Sequence, residues 1–362
     1  MDDEGFELGE PGSRFRLGRT IGAGGSSVVF EACAMDDDNK QVAVKVIYPN
    51  SACKELKHEA KIWKQLPRHP HLLSLLYHEK RPASDSNDGK HREYFVMEYS
   101  HYGNLLQLVR NEGQPTVMPN PREQDKDDAP PASSSSRHSS LNLPRCRGIP
   151  LHQARSIMRQ LASALHCLHT VAHVVHNDLK LENILGFPTQ EDDTGILWKV
   201  ADFGLAEFVA SDEMAHLPPT PCGTMEYIAP EMVRFLDPDM EVFDKIPSHA
   251  KPSPPPDLSP YARDMWALGC IFYVLCAGSF PFQDGIQSRL LERISGSNYE
   301  LPYRLLGDKE RENLPAENVN EDPQDTNESR EQAREVLVHL LDVDPYTRWD
   351  IERLCHSRWL AM

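Results

Sequence analysis

The sequence predicts an α+β chain in which a small, strand-rich first part precedes a larger, mainly helical second part. Three observations predict it. Residues 14–47 alternate apolar and polar positions and hold β-branched clusters in RFRLGRTIG, SVVFEAC and QVAVKVI, as expected of three antiparallel strands. Residues 151–172 carry Ala154, Ile157, Leu161, Leu165 and Leu168 at the spacing of one helix face. Met265 to Gly278 is apolar throughout but shorter than the roughly 18 residues a membrane span needs, so it reads as a buried helix. Strands followed by helices is the α+β pattern.

Composition bounds the function. The chain has 362 residues, of which 40% are hydrophobic, enough for a sizeable core. At ~150 residues per domain it makes two domains or one large bilobed body. Its 38 basic against 55 acidic side chains give a formal net charge of −17, the opposite of a protein that wraps nucleic-acid phosphates, so no nucleic-acid partner is expected. The eight cysteines are scattered without a Cys-x-x-Cys pair, which excludes a zinc or disulfide framework and favours a reducing compartment, cytoplasmic or nuclear. The acidic start Met1-Asp2-Asp3-Glu4 is not that of a secretory signal, and no membrane partner is expected.

In chain order, residues 1–13 read as a short acidic extension, 14–99 as a strand-rich lobe and 100–362 as a helical lobe. In the first lobe the three strands of 14–47 precede a helix over 53–66, with Leu56, Ala60, Trp63 and Leu66 on one face, and a strand from Tyr94 to Tyr99. Residues 80–92 form a polar turn. Three segments are expected to be disordered inserts. Residues 111–148 hold six prolines and six serines with little apolar clustering. Residues 237–260 hold seven prolines, including PSPPP, and suit partner docking. Residues 308–331 carry nine acidic and three basic side chains and should repel themselves into solvent.

The chemistry-bearing residues follow. Ile21-Gly22-Ala23-Gly24-Gly25-Ser26-Ser27 joins two strands, and glycines there let backbone N–H groups approach phosphate oxygens. A strand rather than a helix follows, which excludes a dinucleotide-binding βαβ turn. Lys45 sits on the strand Val42-Ala43-Val44-Lys45, and Glu59 on the next helix could pair with it. His176-Asn177-Asp178-Leu179-Lys180-Leu181-Glu182-Asn183, Ala201-Asp202-Phe203-Gly204 and Ala229-Pro230-Glu231 come next. Phosphoryl transfer from ATP needs a carboxylate to accept the hydroxyl proton, metal ligands and cations on the phosphates. Asp178 can be the acceptor, Asn183 and Asp202 the metal ligands, and Lys45 and Lys180 the cations. Singly, each has an ordinary reading as a turn Asp, a loop Asn or a solvated Lys; their order and spacing make coincidence negligible.

With these motifs, from Phe15 to Leu360, the chain resembles the eukaryotic protein kinase superfamily. The resemblance implies a bilobed fold with a five-stranded antiparallel sheet plus one helix in the first lobe. It implies ATP under the glycine-rich loop, with Mg2+ or alternatively Mn2+ held by Asn183 and Asp202. It also implies Lys45–Glu59 pairing and Asp178 as catalytic base. Val29, Ala43 and Leu185 would sandwich the adenine, with Met97 as gatekeeper and Glu98 and Ser100 at the hinge. Trp63, Leu75, His176 and Phe203 would stack as a spine anchored on Asp264, and Glu231 would pair with Arg348.

Lys180 and Gly223-Thr224 resemble serine/threonine kinases, with Thr224 bonding Asp178 and Lys180 and protein Ser/Thr hydroxyls as acceptors. Lys180-Leu181-Glu182-Asn183 and Cys222-Gly223-Thr224 resemble the calmodulin-dependent and AMP-activated-like group. Glu182 matches an acid that pairs with a substrate arginine in basophilic relatives, and Asn104 stands where those relatives often have a second acid. Asn177 stands where most regulated kinases have Arg. A phosphate on Thr220 would lack that partner, so activity should depend weakly on it. Ser140, in an Arg-x-x-Ser context, is a candidate modification site.

Overall fold

The computed structural model of the chain describes residues 5–24, 27–37, 40–48, 59–82, 91–111, 113–114, 148–189, 195–209, 225–236, 259–311 and 325–361. The predicted inserts at 111–148 and 237–260 lie almost wholly outside these residues, as do Leu56 and Ser140.

The N-terminal sheet has six strands rather than the five expected. Strands β1 (Glu7–Leu8), β2 (Phe15–Ala23), β3 (Ser27–Ala34), β4 (Lys40–Ile47), β5 (Leu75–Pro82) and β6 (His91–Glu98) lie in the order β1-β2-β3-β4-β6-β5, all neighbours antiparallel. The additional strand is β1, inside the stretch read as an acidic extension. It is two residues long, too short to show alternation, and lies among Gly5, Gly9 and Gly12, all at positive φ. It is nevertheless built in: Leu8 is buried, Glu7 pairs with Arg16 at 2.8 Å, and Phe6 stacks on Tyr94. Both ends of the polar turn predicted at 80–92 are strand, since β5 runs to Pro82 and β6 starts at His91; residues 83–90 lie outside the described residues.

Alternation along β4 divides the sheet. Val42, Val44 and Val46 join Leu17, Phe30 and Tyr94 in a core on one face, while Ala43 and Ile47 join the other core with Trp63 and Phe95. Helix α1 (Glu59–Gln65) packs on this second face through Ile62 and Trp63.

Beyond the sheet come α2 (Leu105–Arg110), α3 (Leu151–His166), β7 (Val174–Val175), β8 (Ile184–Pro188), β9 (Ile196–Val200), β10 (Glu207–Phe208), α4 (Pro230–Leu236) and α5 (Ala262–Ala277). Asn104 caps α2 by accepting from the Gln107 N–H at 3.0 Å, while Gln107 accepts from the Asn104 N–H. The five predicted face residues of 151–172 are all buried; α3 ends at His166 and a π-helical turn, Cys167–Val171, continues it. Helix α5 is buried nearly all round and stops at Gly278, whose φ of 71° suits glycine. No helix among the described residues is long and apolar enough to cross a membrane.

Helices α6 (Gln287–Ser295), α7 (Asp308–Arg311), α8 (Asn327–Leu340), α9 (Ile351–Cys355) and α10 (Arg358–Ala361) complete the chain. Both ends of the predicted 308–331 insert are therefore ordered; 312–324 lie outside the described residues. The acids there do not simply repel. Asp308 binds Arg330 at 2.8 Å and Glu310 binds Arg334 at 3.0 Å, so basic residues brought by α8 offset charges on α7.

Candidate active site

Lys45 shares the inner face of β4 with Ala43 and Ile47, so its ammonium points into the second core rather than to solvent. There it meets two carboxylates at once: Nζ lies 2.8 Å from Glu59 Oε1 and 2.8 Å from Asp202 Oδ1. Burial alone would lower the affinity of Lys45 for its proton, but the two carboxylates outweigh it and hold the ammonium charged far beyond neutral pH. Burial raises the Glu59 carboxyl above its usual range, with Lys45 opposing. For Asp202 the balance reverses: the charge and hydrogen bond of Lys45 overcome desolvation and hold the carboxyl low.

The predicted spine residues meet. Trp63 and Phe203 ring centroids are 5.6 Å apart and those of His176 and Phe203 5.5 Å, with Trp63 Nε1 donating to the Leu73 carbonyl at 2.8 Å. Leu75 packs at the edge of this core. Asp264, fully buried on α5, organises the loop that follows β7. Its Oδ2 accepts from the His176 N–H at 2.8 Å and its Oδ1 from the Asn177 N–H at 3.0 Å. His169 contacts Oδ2 at 2.9 Å. Desolvation opposes the Asp264 charge, yet the hydrogen bond and charge of His169 keep its carboxyl below the usual range. Asn177 sits at φ 65° and Asp202 at φ 66°, conformations that aim each side chain away from the direction an extended chain would give.

The loop so held places Asp178, Lys180 and Asn183 together. Asp178 Oδ2 accepts from Lys180 Nζ at 2.7 Å and from Asn183 Nδ2 at 3.1 Å; the same amide donates to the Asp178 carbonyl at 2.8 Å. Because its nitrogen is committed, Asn183 presents Oδ1 as an acceptor. Asp202, with Oδ1 on Lys45 and its side chain 42% exposed, presents carboxylate oxygen to the same cleft. Two oxygen donors of this kind suit a hard divalent cation that completes its shell with phosphate oxygens and water.

A cavity of about 310 Å³ opens above these groups. Ile21, Gly22, Ser27 and Val29 line its roof, Ala43 and Lys45 its inner wall, and Met97, Glu98, Ser100 and Leu185 its hinge side, with Glu59, Asn183 and Asp202 at its polar end. Apolar walls and a charged end fit an aromatic base carrying phosphates. Gly24 donates its N–H to the Ser27 carbonyl at 2.8 Å, closing the turn of the hairpin. Gly25, Ser26, Thr220 and Thr224 lie outside the described residues. The Ser100 hydroxyl does not face the cavity freely: it lies 2.8 Å from the Gly103 carbonyl and 2.9 Å from that of Gly186, tying the hinge to β8.

Sequence reasoning missed Lys199. It pairs with Glu98 at 2.6 Å behind the hinge, and Glu98 Oε2 also accepts from the Ser74 N–H at 3.1 Å. One carboxylate thereby joins the hinge, the start of β5 and β9. The available signal was a lysine between Trp198 and Val200 in an otherwise apolar strand. His169 was missed as well, because nothing local marks its contact with Asp264. The predicted Glu231–Arg348 pair forms with two 2.8 Å bonds.

A protein-family model described as protein kinase domain matches residues 15–360. CBL-interacting protein kinase 5 of Oryza sativa subsp. japonica is 28% identical over 352 residues, covering 96% of this chain and 56% of that protein. CBL-interacting protein kinase 20 of the same plant is 27% identical over 355 residues, covering 96% and 57%. Serine/threonine-protein kinase 33 of Bos taurus is 26% identical over 355 residues, covering 96% and 55%. The chain spans about half the length of these relatives. A match that runs through both lobes, on a fold that gathers Lys45, Glu59, Asp178, Asn183 and Asp202 at one cleft, establishes that this chain belongs to the protein kinase domain family.

Proposed function

We propose that this chain transfers the γ-phosphoryl group of ATP to serine and threonine hydroxyls of protein substrates. The observation that carries the reading is the Lys45 ammonium held at once by Glu59 and Asp202 in a cavity also lined by Asn183, which is bonded to Asp178 beside Lys180. Glu59 aims and holds the Lys45 charge for a phosphate. Asp178 accepts the proton of the substrate hydroxyl as its oxygen forms a bond to the γ-phosphorus and the bond to ADP breaks. Lys180, 2.7 Å from Asp178, keeps a cation beside the transferring group. A divalent cation, Mg2+ or Mn2+, would be held by Asn183 and Asp202 and supplies positive charge to the phosphate oxygens. Lys180 two residues after Asp178 favours Ser and Thr acceptors over Tyr. The five described cysteines are all free, which fits a cytoplasmic or nuclear location.

The test is incorporation of labelled phosphate from Mg-ATP into a degenerate peptide library, comparing wild type with Asp178→Asn. The expected loss is at least about a hundredfold, the contribution of a general base. Equal incorporation by the two proteins would defeat the reading.

A further inference from the structure

We propose that two hollows meeting at His69, one between α1 and β5 and the other between α3 and the last two helices, form a single docking groove. Its occupant is an acidic segment of a partner protein that also carries apolar anchor residues. The proposal does not rest on the kinase reading: the side chains that would dock the segment, Lys64, Arg68, Leu76, Arg159 and Val171, do not line the catalytic cavity.

The first hollow, about 560 Å³, has buried Trp63, Leu72 and Leu73 as its floor and the more exposed Leu66, Leu75 and Leu76 on its sides. Leu76 is 45% exposed, and the backbone holds it so. Leu75 stands opposite Met97 and Tyr77 opposite Val96, which makes Leu76 the extra residue of a bulge and turns its side chain out of the strand's alternation. β5 is also an edge strand of its sheet, where natural proteins usually present charge rather than a leucine.

The second hollow, about 490 Å³, lies where the end of α3 meets α9 and α10. Ala162, Cys167, Cys355 and Leu360 line it, and Val171, 61% exposed, stands at its edge. His69 lines both hollows and its ring contacts Ser163 Oγ at 3.2 Å, so it forms the ridge between them. Apolar pockets in succession fit a peptide segment that places one anchor in each.

Charge selects the occupant. Lys64 and Arg68, four residues apart, line the first hollow, are exposed and make no ion pair among the described residues. Arg159 lines the second; its Nε donates to the Leu360 carbonyl at 2.8 Å, which leaves the terminal guanidinium nitrogens for a ligand. Among the described residues the one acid lining either hollow is Glu98, and both its oxygens are taken, by Lys199 and by the Ser74 N–H. The groove is thus a basic strip on a chain whose net charge is −17. An acidic segment is repelled by the chain as a whole and drawn to this strip, where the apolar pockets then hold it.

The experiment selects random peptides of about twelve residues on the intact chain and measures binding of the recovered peptides by fluorescence anisotropy. The expected consensus combines several Asp or Glu with Leu, Ile, Phe or Trp. Lys64→Glu with Arg68→Glu should weaken binding at least about tenfold, and added salt should weaken the wild-type complex far more than that of this variant. Leu76→Ser should cost about tenfold and Val171→Ser about threefold, for the apolar contact each provides. All four side chains are exposed, so melting temperatures should stay within about 2 °C of the wild type, and phosphate transfer to the degenerate library within about twofold. Recovery of no peptide, a basic or uncharged consensus, or affinity unchanged in the charge-reversed chain or in Val171→Ser overturns the proposal. So does affinity that follows Asp178→Asn instead of these variants, which would place the peptides in the catalytic cleft. A dimer in sedimentation that Leu76→Ser dissolves would make a second copy of the chain the occupant and overturn it too.

Discussion

Replacing Arg348 by Met should cost this protein much of its stability, and the structure supplies the reasons. The Arg348 side chain is 0% exposed and binds Glu231 through two parallel 2.8 Å bonds. It also donates to the Ala262 carbonyl at 2.8 Å and the Asp342 carbonyl at 2.9 Å, and its guanidinium lies 5.0 Å from the Trp266 ring. Met fills a similar volume but leaves Glu231, 8% exposed, as a buried carboxylate without its partner. Breaking a buried pair from one side costs about 3–5 kcal/mol. We expect ~4 kcal/mol, the orphaned carbonyls placing it above the low end of that range. At about 2–4 °C per kcal/mol for a unit of this size, the melting temperature should fall by roughly 8–16 °C. Urea unfolding followed by tryptophan fluorescence, with thermal scans, measures both. The double variant Glu231→Gln with Arg348→Met removes the stranded charge and should recover about half of the loss. A single variant losing under about 1 kcal/mol, the scale of a surface pair, would refute the argument. A double variant as unstable as the single would refute it too.

Two other outcomes follow from the charges. Lys199→Met strands Glu98 behind the hinge, and because Glu98 is 30% exposed we expect a loss of only about 1–2 kcal/mol in urea unfolding. Adding Glu98→Gln should restore part of it; a neutral Lys199→Met would show that the pair contributes nothing. Stability should fall in two steps as pH is lowered. Burial holds the His69 and His71 imidazoles below their usual range, so the folded state resists their protons while the unfolded chain binds them from about pH 6.5 downward. His169 holds the Asp264 carboxyl low, and Lys45 does so for Asp202. Their contribution is complete above about pH 4 and is lost as pH falls through the folded values. Melting temperatures from pH 8 to pH 3 check both steps. His69→Gln with His71→Gln should flatten the upper one and Asp264→Asn the lower one.

Much of the fold was legible because it is local. Alternation marked β2, β3 and β4, and a 3.6-residue spacing marked α3 down to its five buried face residues, since one face of each element must leave water. β1 was not legible: two residues cannot display a period, and only the contacts of Leu8 and Phe6 with the sheet make them a strand. The ordered ends of 308–331 were missed because counting charges does not show which of them meet: Arg330, inside the segment, reaches back to Asp308, and Arg334, beyond it, reaches Glu310.

The site divides along the same line. The order of its motifs was readable in the chain, and with it the identity of Lys45, Glu59, Asp178, Asn183 and Asp202. Their meeting was not. Lys45 and Asp202 touch across 157 residues of sequence, and Asp264 reaches 88 residues back to hold His176. Lys199 and His169 gained their partners only through such contacts. Sequence by itself determined which side chains the molecule brings and which face of a strand or helix each occupies, because backbone periodicity is set within a few residues. Tertiary structure alone decided which buried charges offset one another, because a bond of less than 3 Å between distant residues exists only once the elements bearing them have packed.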